Sequence, residues 1–355
     1  MSRRPKIMTL LMKTSQFDYN LPQERIAQSS IRPRDHSRLL VYNRKTKKII
    51  HDHFYNLSDY VQSTDILVFN NTKVFPARLF GRKQSGGKIE VLLLKNLSNK
   101  TWEVLIGGKV RRVGLMIEFN GGLKCEVLNK LSDGIWHVRF NKPSKEIILL
   151  ANRIGSTPTP PYIKRPSELS DYQTIYAKKV GSVAAPTAGF HFTKRLLAQL
   201  KKKGIQFEYI TLHVGFGTFQ PVKVDDISQH KIHSEYAEIA APTAKRLIQA
   251  KKEGRRIIAV GTTTVRVLET VFGKPRHESL GYPRRGFHGW INTFIYPEYK
   301  FKFIDAMITN FHLPKSSLLM LASAFVGREQ ILNIYKRAIQ RKYRFYSFGD
   351  GMFLQ

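Results

Sequence analysis

Apolar positions along this chain fall into two regimes. Between Asp65 and Leu150 they come in short runs rich in β-formers: Ile66–Phe69, Ala77–Gly81, Lys88–Leu94, Trp102–Ile106, Met116–Phe119, Leu123–Leu128 and Trp136–Phe140. Turn pairs separate them (Gly86-Gly87, Gly107-Gly108, Gly121-Gly122, Asp133-Gly134). Short strands at this spacing predict a small barrel or sandwich of roughly 75 residues. The proline-rich stretch Thr157-Pro158-Thr159-Pro160-Pro161-Tyr162 then marks a stiff boundary.

Beyond it, strand and helix patterns alternate. Thr193 can cap a helix carrying Leu196, Leu197 and Leu200 and closed by Gly204, and a strand Phe207–His213 follows. Pro242 opens a second helix that Gly254 ends. Ile257–Val260 reads as a buried strand with a helix after Thr263, and Phe303–Thr309 as another strand. Helices Ser316–Val326 and Arg328–Lys342 and a short aromatic strand, Tyr343–Tyr346, complete the series. This alternation predicts an α/β domain with a largely parallel sheet. The Gly/Pro-rich, basic stretch Gly273–Gly289 reads as a long loop, either a lid or an RNA-contacting arm.

Charge changes the picture. The chain has 59 Lys and Arg against 26 Asp and Glu, a net charge of +33 over 355 residues. A lysine-rich codon bias would raise Glu as well; the alternative is a charge that serves only solubility. A polyanionic partner is the simplest cause of the scarcity of acids, and nucleic acid is the commonest one. The single cysteine, Cys125, excludes an intramolecular disulfide, a CxxC redox pair and a Cys-rich zinc site. No run approaches the ~18 apolar residues of a membrane span. The basic residues 1–12 contain too short an apolar stretch for a signal peptide. A cytoplasmic protein is expected, with Met8 or Met12 as alternative starts.

Candidate chemistry collects where ligands collect in open α/β sheets, at the carboxyl ends of strands. Four such ends carry polar or glycine-rich clusters: His213–Thr218, Gly261–Thr264 running into Arg266, Thr309–Pro314, and Ser347–Gly351. A fifth, Ala185–His191, leads into a helix. Each alone fits a tight turn or a helix cap; five together describe a pocket. A GxxxxGK[ST] loop and a GxSxG elbow are missing, and Gly215/Gly217 lack the third glycine of a dinucleotide fingerprint. His230, His233 and Glu235 have metal-like spacing, but His pairs of this kind are usually structural, and no metal is assigned.

Longer motifs carry a resemblance. They run in order through Phe17-Asp18-Tyr19-x-Leu21-Pro22, Arg34-Asp35-x-Ser37-Arg38-Leu39, Pro76–Leu79, Pro160–Ile163 and Tyr172–Thr174. The series continues with Gly181–Phe192, Leu212–Pro221, His230–Glu235, Ala259–Leu268, Thr309–Leu321 and Tyr343–Asp350. The chain resembles the S-adenosylmethionine:tRNA ribosyltransferase-isomerases of queuosine biosynthesis over nearly its whole length from Phe17. The resemblance implies a monomer in which residues 72–150 form an all-β barrel inserted into a discontinuous α/β catalytic domain of residues 1–71 and 151–355. It implies transfer and isomerisation of the ribosyl part of S-adenosylmethionine onto 7-aminomethyl-7-deazaguanine at the tRNA wobble position. The products would be epoxyqueuosine in tRNA, adenine and methionine; S-adenosylmethionine is a co-substrate, and no prosthetic group is expected. Departures stand at Ser29-Ser30 (usually His-Pro), Asn71 (usually Asp), Asp171 (usually Arg) and Phe190 (usually Leu).

Such a reaction needs a base for the acidic 5′ protons beside the sulfonium, assistance to departing adenine, and deprotonation of the attacking amine. His191 and His213 are the first candidates for proton transfer, with His312 and Glu235 as further catalytic candidates. Thr187, Gly189, Gly215, Gly217, Thr262, Thr263, Thr264, Arg266, Asn310 and Asp350 are the co-substrate candidates; Arg266 would take a carboxylate or phosphate. Arg34 and Arg38, and Lys336, Arg337, Arg341 and Lys342 on the last helix, are the tRNA candidates, with Lys194–Lys203 as a third basic group. Phe190 or Tyr346 would suit stacking on an extruded base. The competing class is a non-catalytic RNA-binding protein that kept the fold; a methyltransferase is disfavoured by the missing glycine-rich motif.

Overall fold

In the computed structural model, residues 12–108, 112–131, 134–164, 168–215, 222–273 and 285–355 are described. In chain order the first strands are β1 (Arg38–Tyr42), β2 (Ile49–His53), β3 (Ile66–Asn70) and β4 (Thr72–Val74). The next six are β5 (Arg78–Lys83), β6 (Lys88–Asn96), β7 (Thr101–Gly107), β8 (Met116–Phe119), β9 (Lys124–Lys130) and β10 (Ile135–Phe140). These six close into an antiparallel barrel in the order β10-β7-β6-β5-β8-β9. Their alternating inward residues, among them Val91, Val104, Ile117, Val127 and Val138, form its core.

The remaining strands are β11 (Lys179–Ser182), β12 (Gln206–Leu212), β13 (Glu235–Ile239), β14 (Ile257–Val260), β15 (Phe287–Ile291), β16 (Ala306–Asn310) and β17 (Gly351–Leu354). Nine strands make one mixed sheet, β15-β13-β12-β3-β14-β16-β17-β1-β2. β12, β3, β14 and β16 run parallel, as do β17 and β1; the other neighbours are antiparallel. The expected α/β architecture with a smaller all-β barrel is therefore present, with parallel pairing concentrated at the centre of the sheet. β3 and β14 read as unbroken apolar runs because both their faces are covered. Alternation splits them: Ile66, Val68, Ile257 and Ala259 join one core, Leu67, Phe69, Ile258 and Val260 the other.

Six α-helices lie among the described residues: α1 (Ser144–Ile154), α2 (Lys194–Lys202), α3 (Ala241–Lys252), α4 (Thr262–Phe272), α5 (Ser317–Val326) and α6 (Arg328–Gln340). Helices α3 to α6 contribute to the first core, and Leu196 and Leu200 of α2 to the second. Thr193 caps α2 by accepting from Leu196 N at 3.1 Å, and Ser316 caps α5 by accepting from Leu319 N at 3.2 Å. No helix among the described residues is long and apolar enough to cross a membrane.

Several elements differ from the sequence expectation. α1 occupies a stretch read as β only, packing Ile147 and Ala151 onto the barrel core. β15 begins at Phe287 inside the stretch read as a loop and runs past its end to Ile291; residues 274–284 of that stretch lie outside the described residues. The strand expected from Phe303 starts at Ala306, because the Glu269 carboxylate takes the amides of Lys302, Phe303 and Ile304 at 3.0–3.1 Å. The strand expected at Tyr343–Tyr346 reduces to an isolated bridge between Phe345 and Ile26. There Tyr346 takes a positive φ of 72°, and the turn Gly349 N to Tyr346 O (3.0 Å) delays strand pairing to Gly351.

Candidate functional site

All five motif clusters contribute residues at the carboxyl ends of β14 and β16. Between them lies a cavity of about 660 Å³, part of it open to solvent. Its wall includes Pro186, Thr187, Thr262, Thr263, Thr309, Asn310, His312 and Ser316, with Tyr162, Tyr346 and Ser347 on another side. Gly261, at φ 91°, turns the end of β14 into α4, so the first turn of that helix borders the cavity. The positive end of the helix dipole and its leading N–H groups favour an anion there. Thr264 is turned away: it is fully buried and its hydroxyl donates to Val260 O at 2.8 Å.

Asn310 ties the cavity wall together. Its Oδ1 accepts from the Thr187 hydroxyl at 3.1 Å. Its Nδ2 donates to Tyr346 O and to His191 Nε2, each at 3.2 Å. Nε2 of His191 is thus an acceptor, so the ring proton sits on Nδ1 and donates to Ser37 Oγ at 2.7 Å. The ring also stacks on Phe54 at 4.7 Å. Burial, with Arg344 and Arg34 nearby, pushes His191 down to about 3. The imidazole stays neutral behind Asn310 and is not part of the cavity wall. His312 does line the cavity, but burial takes it to about 3 as well. Its Nε2 meets the Thr309 hydroxyl at 2.9 Å and its amide donates to the Tyr335 hydroxyl at 2.9 Å.

His213 belongs to a second cavity of about 590 Å³, between the sheet edge and the barrel. Here Gly181, His213, Gly215, His233, Glu235, Tyr236 and Trp290 face Leu94, Lys95, Glu103 and Ile135 of the barrel strands. His213 Nδ1 meets the Thr72 hydroxyl at 2.8 Å, and Gly181 leaves the space its ring occupies. Burial, opposed by Glu238 and reinforced by Lys179, lowers its pKa below the usual histidine value. Glu235 pairs with Arg266, both side chains about 5% exposed, and its Oε1 accepts from Gly215 N at 2.9 Å. Arg266 Nε donates to Thr293 O at 3.1 Å; its Nη2 is buried without a hydrogen-bond partner among the described residues. The two cavities flank the segment 213–215: Val214 faces the first, His213 and Gly215 the second.

Other candidates sit elsewhere. Asp350 is buried with its oxygens accepting from Arg38 N (3.0 Å) and Arg344 N (2.8 Å), so it clamps two backbone segments. Burial raises its pKa. Arg34 gives its guanidinium to the carbonyls of Ser170, Asp171 and Gln173 and lies 5.2 Å from the Phe190 ring. It holds the loop that carries these carbonyls. Arg38 lies 3.7 Å over Tyr343 and donates to Arg341 O at 2.6 Å. Lys336, Arg337, Arg341 and Lys342 are exposed. Phe190 is core, against Tyr172 and Phe348. Gly217 lies outside the described residues.

Of the departures, Asn71 accepts from the Thr211 hydroxyl at 2.7 Å and Asp171 pairs with Arg32. Among the described residues no group of three His, Cys, Asp or Glu side chains comes together to hold a metal.

Gly189 has a packing reason: a Cβ there would overlap the buried Tyr176 hydroxyl. Gly189→Ala is therefore expected to lower stability by about 1–3 kcal/mol, as overpacking does. Urea titration reads this directly; an unchanged midpoint would show that the Tyr176 ring yields freely. Trp290, Glu103 and Lys95 were not singled out in the sequence. They meet the motif residues only because the barrel returns to the sheet edge.

A family model described as "Queuosine biosynthesis protein" matches residues 14–354. An S-adenosylmethionine:tRNA ribosyltransferase-isomerase of Aquifex aeolicus is 49% identical over 346 residues, covering 97% of this chain and 100% of the relative. The protein of the same name from Thermosipho melanesiensis is 50% identical over 345 residues, with the same coverage. Among solved structures, the S-adenosylmethionine tRNA ribosyltransferase of Thermotoga maritima matches 96% of this chain and 100% of its own, at 35% identity and a TM-score of 0.56.

Proposed function

Because the chain belongs to the queuosine biosynthesis protein family, we propose that it is an S-adenosylmethionine:tRNA ribosyltransferase-isomerase, acting as a cytoplasmic monomer. The observation that carries this reading is the end-to-end match to relatives of that name, each covered over its full length. The reaction transfers the ribosyl group of S-adenosylmethionine to the amine of 7-aminomethyl-7-deazaguanine in tRNA, isomerises it, and releases adenine and methionine.

The cavity at β14 and β16 holds S-adenosylmethionine. Its carboxylate suits the amides at the start of α4, where Thr262 and Thr263 border the space. Tyr162 and Tyr346, with ring centroids 4.8 Å apart, offer aromatic surface to the adenine and the sulfonium. His191 is a positioning residue: it holds Asn310, and through it the Thr187 and Tyr346 segments, in one arrangement. His312, made a weak base by burial and with its Nε2 against the Thr309 hydroxyl, is wall rather than base. Proton transfer falls to His213, which lines the second cavity with Gly215. Its lowered pKa keeps it unprotonated and able to accept the amine's proton at neutral pH.

The test is incubation with S-adenosylmethionine and tRNA bearing the deazaguanine precursor. Free adenine and methionine are expected; S-adenosylhomocysteine would mean methylation, and no product would mean an RNA binder. His213→Gln should lower kcat about 10²–10⁴-fold, the usual worth of a proton-transfer group. The acid limb of the wild-type kcat/KM profile should vanish with it while tRNA affinity is kept. An unchanged limb in that variant removes His213 from the role. Phosphate contacts also require tRNA affinity to fall steeply with salt.

A further inference from the structure

The cleft between barrel and sheet contains an aromatic surface with no role in the account so far. Trp290 lies on the edge strand β15, in register with Tyr236 of β13. The two rings meet edge to face at 5.6 Å, and Tyr236 stacks on His213 at 6.1 Å. Trp290 is 50% exposed, whereas Trp102 and Trp136 are 3% and 9% exposed inside the barrel. A half-exposed indole is apolar area left facing water. What partly covers it is a single cation: Lys95 of the barrel places its Nζ 3.8 Å from the Trp290 ring centroid. Glu103, also from the barrel, lines the same cleft.

We propose that the tRNA base to be modified stacks on Trp290, displacing the Lys95 ammonium to the phosphate of the same nucleotide. The proposal rests on the tRNA-modifying reading above. An exposed cation–π contact is weaker than base–aromatic stacking, so the exchange runs towards the base. Lys95 loses little by moving, since its long stem is flexible and a phosphate repays the lost contact. The aminomethyl group of the base is a cation of lysine type at neutral pH. Stacked on Trp290, it lies in the cleft that holds Glu103 and, beyond Tyr236, His213. Carboxylates are scarce in this chain, 26 among 355 residues, so Glu103, partly exposed in this cleft, suits that cation. Gly215 lines this cleft and its chain neighbour Val214 lines the first cavity, so the two lie one residue apart along the backbone. The stacked base thus borders the co-substrate.

The experiment uses the full chain and an anticodon stem-loop carrying 7-aminomethyl-7-deazaguanine at the wobble position. With the other two tryptophans buried, acrylamide quenching reports Trp290. The stem-loop should shield it, bringing quenching down to that of Trp290→Phe. Trp290→Ala should raise KM for the stem-loop roughly 5- to 150-fold, with KM for S-adenosylmethionine unchanged. Trp290→Phe, which keeps a stacking face, should retain most of the activity. Lys95→Ala should reduce the salt dependence of binding by about one phosphate contact.

Equal KM values for wild type and Trp290→Ala, in an enzyme that releases adenine, would overturn the proposal alone. If the wild type releases no adenine, the enzymatic reading is what fails. Shielding that grows with protein concentration and needs no RNA would also overturn the proposal, since it would mark an interface between copies.

Discussion

Arg266→Met is expected to lower the folding free energy by about 3–5 kcal/mol, the usual result of leaving one member of a buried ion pair alone. Glu235 and Arg266 are both almost fully enclosed, and the pair sits under the segment that divides the two cavities. Removing the guanidinium takes from the buried Glu235 carboxylate the cation that pairs with it, while the Gly215 amide still donates to Oε1 at 2.9 Å. Glu235→Gln alone should also be costly, since Arg266 would keep its charge without a counterion. The double variant Glu235→Gln/Arg266→Met should be less destabilised than the sum of the two, because it removes both charges together. Urea unfolding of the four proteins gives the coupling energy. Single variants within about 1 kcal/mol of wild type would show that the pair is solvated and replaceable. Adenine release should fall in both single variants, because Glu235 anchors Gly215 in the cavity that also holds His213.

Acid should destabilise the fold well above the range in which most carboxylates protonate. His191 and His312 titrate near 3 in the folded chain and near 6.5 when unfolded. Their folded values are depressed, so between these limits the unfolded chain binds two protons that the folded chain refuses. Stability therefore falls as the pH drops below about 6.5, and the loss is complete near 3. Each imidazole contributes up to about 1.4 kcal/mol per pH unit, or about 2 kcal/mol between pH 7 and 5. Together they amount to about 4 kcal/mol, a large part of the stability of an ordinary domain.

Asp350 acts in the opposite sense: its raised folded value favours the folded state as the pH falls through the carboxylate range. Denaturant titrations at pH 7, 6 and 5 measure the slope. His191→Asn, which keeps a polar partner for Asn310, should remove about half of it. An identical slope in that variant would mean that water reaches the imidazole.

How much of this was legible without a structure depends on the range of the interactions involved. Apolar alternation and the turn glycines locate the barrel strands, because both are local signals. The unbroken run Ile257–Val260 announces a strand buried on both faces. The capping residues Thr193 and Ser316 mark helix starts for the same reason. The motif order also sufficed for the family, and the missing acids for a polyanionic partner.

What the sequence left open is every question that turns on distant neighbours. Phe303 and Tyr343 have strand propensity, yet Glu269 and Asp350 capture the amides beside them and postpone pairing. Five polar clusters looked equivalent along the chain. Tertiary structure sends those at 187, 262 and 310 to one cavity and His213 with Glu235 to another, while Asp350 goes to a backbone clamp. His191 and His213 have similar settings in sequence, each close to glycine. Folding places one neutral behind Asn310 and the other in an open cleft, and burial, which no local pattern encodes, sets the proton affinity of each.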